Sequence, residues 1–352
     1  MKNSKILVIG SQGYLGSRLN FFLRKYGYDF KGLDTGYFKN GVLEKVDNSK
    51  DNYFNIENVS EKQLKDFDFV IQLADFSNDP IDKLNPKTFY KRTKNYTITI
   101  AKICKKLGIK FLYPSSCSVY GINKNVLNEK SLTNPQTHYS KNKLEIEREL
   151  KKLSDKNFVP IILRLATVFG YSPRIRFDVV INMLIGMGLT SRKIVLNSDG
   201  QSWRPHVFID DVCITILKFI KLKKIKNTYF PLNVGSNQNN ERIITVAKKI
   251  QSKIKNCKLN YLNNNTYTNL NKNLIKDRKI INGKDKRTYK VNFNKIHKII
   301  KTIKFTSVEN GIKKTINDLK RNKINLKKFQ KREFYRLQQI EYLYKKRKIL
   351  IK

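Results

Sequence analysis

A glycine-rich turn near the start of the chain constrains the fold more than any other feature of the sequence. Residues 5–9 form a short apolar run, residues 10–16 read Gly-Ser-Gln-Gly-Tyr-Leu-Gly, and residues 17–25 have a helical pattern. Glycine permits backbone conformations and close approaches that other residues do not, and the free amides at a helix N-terminus bind phosphate. This order of strand, glycine turn and helix predicts a site for the pyrophosphate of a dinucleotide.

An acidic residue follows the second predicted strand at a suitable distance from this turn. The strand covers residues 28–33 and is followed by Asp34, about 20 residues beyond the turn, where a carboxylate can accept hydrogen bonds from ribose hydroxyls. The same charge would repel a phosphate on that ribose. We therefore expect NAD rather than NADP, against the alternative of a structural turn followed by a surface aspartate.

Strand-like and helix-like segments alternate along the first half of the chain. The later segments are a strand at 68–75, a helix at 88–106, a strand at 110–114, a helix at 140–152 and a strand at 159–165. Such alternation predicts an α/β fold in which helices cover both faces of a parallel sheet. Ligands of such sheets bind beyond the carboxyl ends of the strands. The residues predicted at such ends are Gly10, Asp34, Asp75, Ser116 and 164–170.

The composition is strongly basic, with 72 Lys and Arg against 28 Asp and Glu and a net charge of +44. Such a charge favours nucleic acid or an anionic membrane as a partner, but the lysines are spread along the whole chain and indicate a general compositional bias. No apolar run approaches the roughly 18 residues of a membrane span, and no signal peptide is apparent. Four widely separated cysteines predict no metal site, and we expect a cytoplasmic protein.

Tyr139 and Lys143 are the strongest candidates for catalytic chemistry. They lie four residues apart in a predicted helix, so the phenol and the ammonium project from one face. A nearby ammonium favours the phenolate over the neutral phenol, and the hydroxyl of Ser116 could bind the same substrate oxygen. A bare Tyr-x-x-x-Lys is common by chance in a lysine-rich chain, so the specificity lies in its order after the glycine turn, Asp34 and the serine cluster at 115–118.

In this combination the chain resembles the extended short-chain dehydrogenase/reductase family, in its nucleotide-sugar epimerase/dehydratase branch of UDP-glucose 4-epimerase-like proteins. The resemblance covers residues 1 to about 315 and implies a Rossmann-type doubly wound sheet with NAD as cofactor. It also implies the roles of individual residues. The cofactor-binding residues would be Gly10, Gly13, Tyr14, Leu15, Gly16, Asp34, Asn55, Ile56, Leu73, Ala74, Asp75 and Asn95, with Tyr139 and Lys143. The catalytic residues would be Ser116, Tyr139 and Lys143.

Downstream segments resemble those that bind the nucleotide sugar in this family. In residues 164–170, Thr167 replaces the asparagine that usually contacts the substrate, and Arg204 matches the arginine that grips the diphosphate. Asp285 and Arg287 resemble the segment that closes over the nucleotide, while Arg174 and Arg176 are further candidates for phosphate binding. The other substrate-binding candidate is Ser116.

The resemblance divides the chain into a cofactor domain, a substrate lobe and a C-terminal extension. We expect an NAD-binding domain at 1–170, to which the chain returns around 205–238, and a smaller nucleotide-sugar lobe mainly at 171–318. Residues 319–352 would be a basic helical extension. Its apolar residues Phe334, Leu337, Ile340 and Tyr344 have roughly helical spacing, which favours a packed helix over one that binds a membrane or a partner. A homodimer formed through the helices at 88–106 and 139–152 is implied by resemblance.

The reaction favoured by these residues is epimerisation through a keto sugar. Dehydratases of the family resemble one another in an Asp-Glu pair after the catalytic serine, where this chain has Cys117 and Ser118. Neither is a competent general base at neutral pH. The alternatives are a 4,6-dehydratase, a keto-sugar reductase and, more remotely, a non-catalytic NAD- or RNA-binding protein. We expect His138 to be exposed and His206 to be structural.

Overall fold

The computed structural model describes residues 4–76, 86–222, 224, 226, 230–261 and 288–349. The strands of this part of the chain are β1 Ile6–Ile9, β2 Phe30–Asp34, β3 Asp51–Tyr53, β4 Phe69–Gln72, β5 Lys110–Ser116, β6 Val126–Leu127, β7 Ile161–Leu165, β8 Thr167–Phe169, β9 Lys193–Leu196, β10 Trp203–Phe208, β11 Leu232–Val234, β12 Asn240–Arg242, β13 Lys258–Tyr261 and β14 Lys290–Val291. The α-helices are α1 Tyr14–Lys25, α2 Glu61–Leu64, α3 Pro86–Lys106, α4 His138–Leu153, α5 Val180–Ser191, α6 Ile209–Lys221, α7 Ile243–Ser252, α8 Asn294–Ile299, α9 Val308–Arg321, α10 Leu326–Phe329 and α11 Arg336–Lys345.

The central feature is a seven-stranded sheet in the order β11-β7-β5-β4-β1-β2-β3. Its adjacent strands are all parallel, which confirms the predicted α/β fold. The four residues of β1 are all buried, because a central strand covered on both faces needs apolar side chains on both sides. The register aligns Ile9 with both Leu33 and Gln72, so the glycine turn lies beside the ends of β2 and β4.

Helices cover both faces of this sheet. Helices α1 and α6 contact each other on one face, where Leu19 and Phe219 belong to one apolar cluster. Helices α3 and α4 pack together on the other face, where Ile100 and Ile146 belong to a second cluster. Both helix pairs therefore bury apolar stripes against the strands, and this packing fixes the helix ends near the carboxyl edge of the sheet.

The later part of the chain contributes to both the large sheet and smaller ones. Strand β10 pairs with β8 and β12 in a three-stranded sheet. Strand β11 returns to the edge of the large sheet beside β7. Helices α5, α7 and α9 share a third apolar cluster, which includes Ile185, Ile250 and Ile312. The cleft between this cluster and the carboxyl edge of the large sheet holds the site described below.

The C-terminal segment packs onto the protein rather than projecting from it. Phe334, Leu337 and Ile340 are each 1% exposed, whereas Tyr344 is 43% exposed. Leu337 and Ile340 belong to an apolar cluster with Phe76, near the end of β4. The packed-helix interpretation therefore describes three of the four predicted apolar positions. Among the described residues, no helix is both long enough and apolar enough to cross a membrane.

Candidate active site

The glycine turn has the tight geometry predicted for it. Gly10 has a φ of +88°, and a Cβ there would lie 2.5 Å from the backbone nitrogen of Ala74. A Cβ on Gly16 would lie 2.2 Å from the carbonyl oxygen of Gly10. Both distances are too short for any side chain, so these positions require glycine. The turn can therefore lie against the residues that follow β4 while α1 begins immediately beside it.

Asp34 connects the end of β2 to this turn. Its carboxylate accepts hydrogen bonds from the backbone N–H groups of Gln12, at 2.9 Å, and Gly36, at 2.7 Å. The side chain is buried, and burial raises the pKa of its carboxyl group above the ordinary value. Asn55 accepts a hydrogen bond from the N–H of Glu57 and so begins a short 3₁₀ helix that includes Ile56. These residues form the wall next to Asp34.

A single cavity of about 630 Å³ brings together nearly all the predicted site residues. Those that line it are Gly10, Gly13, Tyr14, Leu15, Gly16, Asp34, Asn55, Ile56, Leu73, Ala74, Asp75, Ser116, Tyr139, Lys143, Thr167 and Arg204. Asp285 and Arg287 lie outside the described residues. The cavity extends along the carboxyl edge of the large sheet, from the end of β2 to the beginning of β8 and β10.

Tyr139 and Lys143 lie in the first turns of α4, as the sequence spacing predicts. The helix begins two residues earlier than predicted because Thr137 and Ser140 form a capping box, in which each side chain bonds the other residue's backbone N–H. The Nζ atom of Lys143 lies 5.7 Å from the centroid of the Tyr139 ring. Ser116, at the end of β5, accepts a hydrogen bond from the N–H of Ser118 at 3.1 Å, so its own proton can be donated to a ligand.

Lys143 is held by two partners, one on β5 and one just beyond the end of β4. Its Nζ donates to the carbonyl oxygen of Pro114 at 2.7 Å and lies 2.7 Å from Oδ2 of Asp75. Both members of the ion pair are 5% exposed. The sequence predicted each residue in the site but not their pairing, which depends on the register between β4 and β5. The pair fixes the ammonium beside Tyr139.

The structure does not bring Asn95 to the cavity. Asn95 is exposed on α3, whereas Thr93, Tyr96 and Thr97 are buried. The Tyr96 hydroxyl lines the cavity and donates to the carbonyl oxygen of Ala74 at 3.1 Å. The inward face of a helix recurs every three to four residues, and the buried positions in this helix place Asn95 on the opposite side. The helical spacing of Thr93, Tyr96 and Thr97 is the sequence pattern that could have identified Tyr96 as a residue of the inward face.

The two arginines after β8 have different environments. Arg174 is buried away from the cavity lining and donates to the carbonyl oxygens of Phe38 and Lys39 and to the Gln12 side chain. It therefore holds the loop after β2 in place. Arg176 lines the cavity and pairs with Asp178, with its Nε 2.9 Å from Oδ1. Of these two candidates, only Arg176 is placed where it could meet a ligand.

His206 is buried on β10, and His138 is exposed at the start of α4, both as predicted. The His206 ring makes an edge contact with Phe169. Neither ring nitrogen has a hydrogen-bond partner among the described residues. Burial, with the charges of Arg204 and Lys249, lowers the pKa of His206 from 6.5 to about 3. The side chain is consequently a neutral structural residue.

We expect that replacing His206 by leucine will make the free energy of unfolding fall less steeply as the pH is lowered. Below pH 6.5 the unfolded chain binds a proton at this residue that the folded protein cannot bind until near pH 3, so the residue lowers the free energy of unfolding as the pH falls. Between pH 7 and pH 5 the wild type should therefore lose about 2 kcal/mol more unfolding free energy than His206→Leu does. Urea titrations at both pH values measure this shift. A difference that is equal at both values would contradict the neutral buried imidazole.

Two residues of the cavity wall come from the C-terminal segment, which the sequence analysis did not connect with the site. Tyr335 and Arg336 both line the cavity. The backbone N–H of Arg336 donates to Oδ2 of Asp178 at 3.1 Å. No local motif marks these residues, because their position depends on how the last helix packs on the rest of the protein.

The cavity wall fits a dinucleotide. The glycine turn is the cradle that a Cβ would fill, and the Asp34 carboxylate stands at its edge. Buried polar atoms without hydrogen-bond partners also lie near the candidate catalytic side chains. Oγ of Ser118 and Oδ1 of Asp75 are buried and accept no hydrogen bond from the described residues. A buried polar atom without a partner is costly, and ligand hydroxyl or amide groups would satisfy these atoms.

Known proteins with similar sequences act on nucleotide sugars. The chain is 26% identical over 283 residues to dTDP-D-glucose 4,6-dehydratase of Dictyostelium discoideum, covering 70% of this chain but only 61% of that relative. It is 27% identical over 270 residues to UDP-glucose 4-epimerase of Lactobacillus helveticus, covering 70% of this chain and 81% of the relative. The solved UDP-glucuronic acid 4-epimerase of Bacillus cereus, in complex with UDP-glucuronic acid and NAD, has the same fold, with a TM-score of 0.72 and 24% identity. This match covers 90% of this chain and 99% of that one.

A family model covers the part of the chain that forms most of this site. The model of the NAD dependent epimerase/dehydratase family matches residues 6–235, which is more than half of the chain. This range contains the glycine turn, Asp34, Ser116, Tyr139 and Lys143. The chain therefore belongs to the NAD dependent epimerase/dehydratase family.

Proposed function

We propose that this protein is a nucleotide-sugar epimerase that uses NAD transiently and returns it unchanged. NAD, the cofactor of this family, would be held at the glycine turn and Asp34 and would supply the acceptor for a hydride. The observation that carries the proposal is that Ser116, Tyr139 and Lys143 line one cavity, while the next positions are Cys117 and Ser118. The set suits reversible oxidation of a sugar hydroxyl without a further elimination step.

The roles of the catalytic side chains follow from their positions. Tyr139, as phenolate, takes the proton of a sugar hydroxyl while the carbon of that hydroxyl loses its hydride. Lys143, fixed by Asp75 and Pro114, stabilises the phenolate charge. Ser116 donates its proton in a hydrogen bond to the oxygen that becomes a carbonyl. When the hydride returns to the other face of the ketone, Tyr139 gives the proton back, and the product is an isomer of the substrate.

Dehydration needs a further acid and base near Ser116. The Cys117 thiol is buried and donates to the carbonyl oxygen of Arg164 at 3.3 Å, and burial raises its pKa above the ordinary value. It is therefore neither charged nor directed at a substrate. The described carboxylates that line the cavity are each held by a cation or a backbone amide: Asp34 by Gln12 and Gly36, Glu57 by Arg92, Asp75 by Lys143 and Asp178 by Arg176. This arrangement favours epimerisation over dehydration.

The other end of the cavity suits the nucleotide diphosphate. Arg204 on β10 and Thr167 on β8 line it, and the Arg204 guanidinium lies 5.5 Å from the centroid of the Tyr289 ring. A guanidinium can donate two parallel hydrogen bonds to phosphate oxygens. We therefore place the sugar between Tyr139 and Thr167 and the diphosphate at Arg204.

The purified protein should convert one nucleotide sugar into an isomer of equal mass without added cofactor. The experiment incubates it with UDP-, GDP-, CDP- and dTDP-sugars and follows mass and absorbance. Epimerisation predicts no change in mass and no net consumption of NAD, because the hydride is returned to the same carbon. Loss of water, loss of carbon dioxide or stoichiometric use of NAD(P)H would overturn the proposal in favour of a dehydratase, a decarboxylase or a reductase.

The net charge of +44 calls for a separate control. If nucleic acid were the true ligand, binding would be tight and would weaken steeply with added salt, because bound counterions are released. We expect only weak binding at moderate salt. Tight, salt-dependent binding together with no conversion of any sugar would favour the nucleic-acid alternative.

We also propose a homodimer formed through α3 and α4, whose packing against each other leaves an exposed face that includes Asn95. The support is the family resemblance of these helices. Light scattering of the purified protein tests it, and a monomer at micromolar concentration would contradict it.

A further inference from the structure

The C-terminal segment 332–345 crosses one side of the dinucleotide cavity and is attached to it at several points. The N–H of Phe177 donates to the carbonyl oxygen of Phe334 at 3.1 Å. The side chain of Gln339 donates to the carbonyl oxygen of Tyr37 at 2.9 Å. A Cβ on Gly41 would lie 2.8 Å from the carbonyl oxygen of Glu333, so the loop after β2 lies directly against the segment. These contacts make the segment part of the cavity wall.

Arg336 is a buried cation that has no ion-pair partner among the described residues. The residue is 7% exposed, and its guanidinium carbon lies 3.7 Å from the centroid of the Phe38 ring. Within the described ranges Arg336 makes no ion pair, because the nearby carboxylate of Asp178 is already paired with Arg176. Burial first, and then repulsion by Arg176, lower the pKa of Arg336 to about 9. The carboxylates of Asp178 and Asp34 also act on Arg336, but Asp178 is already paired with Arg176, and Asp34 already accepts hydrogen bonds from backbone N–H groups.

The position of this charge indicates which part of the cofactor it would meet. Phe38 lies in the loop after β2, four residues beyond Asp34, and the charges of Asp34 and Arg174 also act on Arg336. Arg174 in turn bonds Gln12 of the glycine turn. Arg336 therefore belongs to the side of the cavity formed by the glycine turn and Asp34.

We propose that Arg336 binds a phosphate oxygen of the dinucleotide pyrophosphate, so that the C-terminal extension forms part of the cofactor site. The inference rests on the proposed role of the cavity as the NAD site. The phosphate would give Arg336 the anionic partner that no described carboxylate provides as an ion pair, since Asp178 is paired with Arg176. The Phe38 ring holds the guanidinium in place for this contact through a cation–π interaction.

The test compares Arg336→Gln with Lys345→Gln, a matched control at the exposed end of the same helix. Calorimetry measures the binding of NAD, ADP, adenosine and UDP after any co-purified nucleotide has been removed and quantified. We expect Arg336→Gln to weaken NAD and ADP binding roughly tenfold to hundredfold, because it removes a charge-assisted hydrogen bond. Adenosine, which has no phosphate, should bind with unchanged affinity, and Lys345→Gln should behave as the wild type.

Arg336→Lys keeps the positive charge and allows the same test if the glutamine variant fails to fold. It should retain part of the affinity for NAD and ADP, and wild-type ADP binding should weaken as salt is added. Unchanged NAD affinity in Arg336→Gln would overturn the inference. So would equal losses for ADP and adenosine, or a loss confined to UDP, which would assign Arg336 to the substrate. A wild-type protein that binds no NAD would instead overturn the proposed function.

Discussion

Tyr139→Phe is expected to reduce turnover by roughly 10²- to 10⁴-fold, the usual contribution of a positioned acid or base. The variant lacks only the oxygen that exchanges the proton with the sugar. The Tyr139 ring also packs against the apolar cluster that contains Phe76 and Phe89, and phenylalanine keeps that contact. Fold and NAD affinity should therefore change little. Initial rates with the nucleotide sugar identified by mass spectrometry, together with NAD binding, measure both effects.

Tyr26→Phe provides the matched control, since Tyr26 is 52% exposed at the end of α1 and distant from the cavity. Its rate should equal that of the wild type. A Tyr139→Phe enzyme that retains more than a tenth of the wild-type rate would exclude Tyr139 as the acid/base residue. Proton transfer would then have to be assigned to another group in the cavity.

Glu147→Ala is expected to lower the free energy of unfolding by about 3–5 kcal/mol. Both oxygens of Glu147 accept hydrogen bonds from Arg164, whose Nη2 lies 2.6 Å from Oε2, and the two side chains are 6% and 5% exposed. Ser115 donates a further hydrogen bond to Glu147. Removing the carboxylate leaves a buried guanidinium without its counter-ion. Urea unfolding at pH 7 measures the loss.

Two further variants separate this charge effect from the loss of side-chain volume. Glu149 pairs with Lys152 at 2.8 Å on the exposed face of the same helix. Glu149→Ala should lower the free energy of unfolding far less than Glu147→Ala, because water screens the exposed pair. The double variant Glu147→Met with Arg164→Met removes both charges, so it should be more stable than Glu147→Ala. If Glu147→Ala lost no more stability than Glu149→Ala, the buried pair would not hold α4 against the sheet.

This ion pair also connects stability with the proposed chemistry. Glu147 follows Lys143 by four residues on α4, and Arg164 lies in β7, next to β5. The pair therefore fixes the helix of Tyr139 and Lys143 against the strand that ends at Ser116. We expect any activity left in Glu147→Ala to fall with temperature earlier than that of the wild type, because the three proposed catalytic groups share this support.

The features that the sequence predicted are local ones. Gly16 lies within a few residues of the backbone atoms of Gly10 and Ser11 that it approaches, and Tyr139 and Lys143 meet because a helix repeats every 3.6 residues. The alternation of strand-like and helix-like segments was sufficient to predict the parallel sheet. Asn95 is the residue for which a local pattern was insufficient. A resemblance between motifs placed it beneath the cavity, whereas the helix turns it outward and presents Tyr96.

The sequence by itself therefore determined the fold class and placed the glycine turn and the candidate trio of Ser116, Tyr139 and Lys143, since these depend largely on short-range geometry that a local pattern encodes. Only the tertiary structure decided that Asp75 pairs with Lys143, that Glu147 pairs with Arg164 and that Arg336 lines the cavity. Each of these contacts joins elements that are separate in the chain. Their distances are set by strand register and by the packing of apolar faces, and both depend on the whole fold.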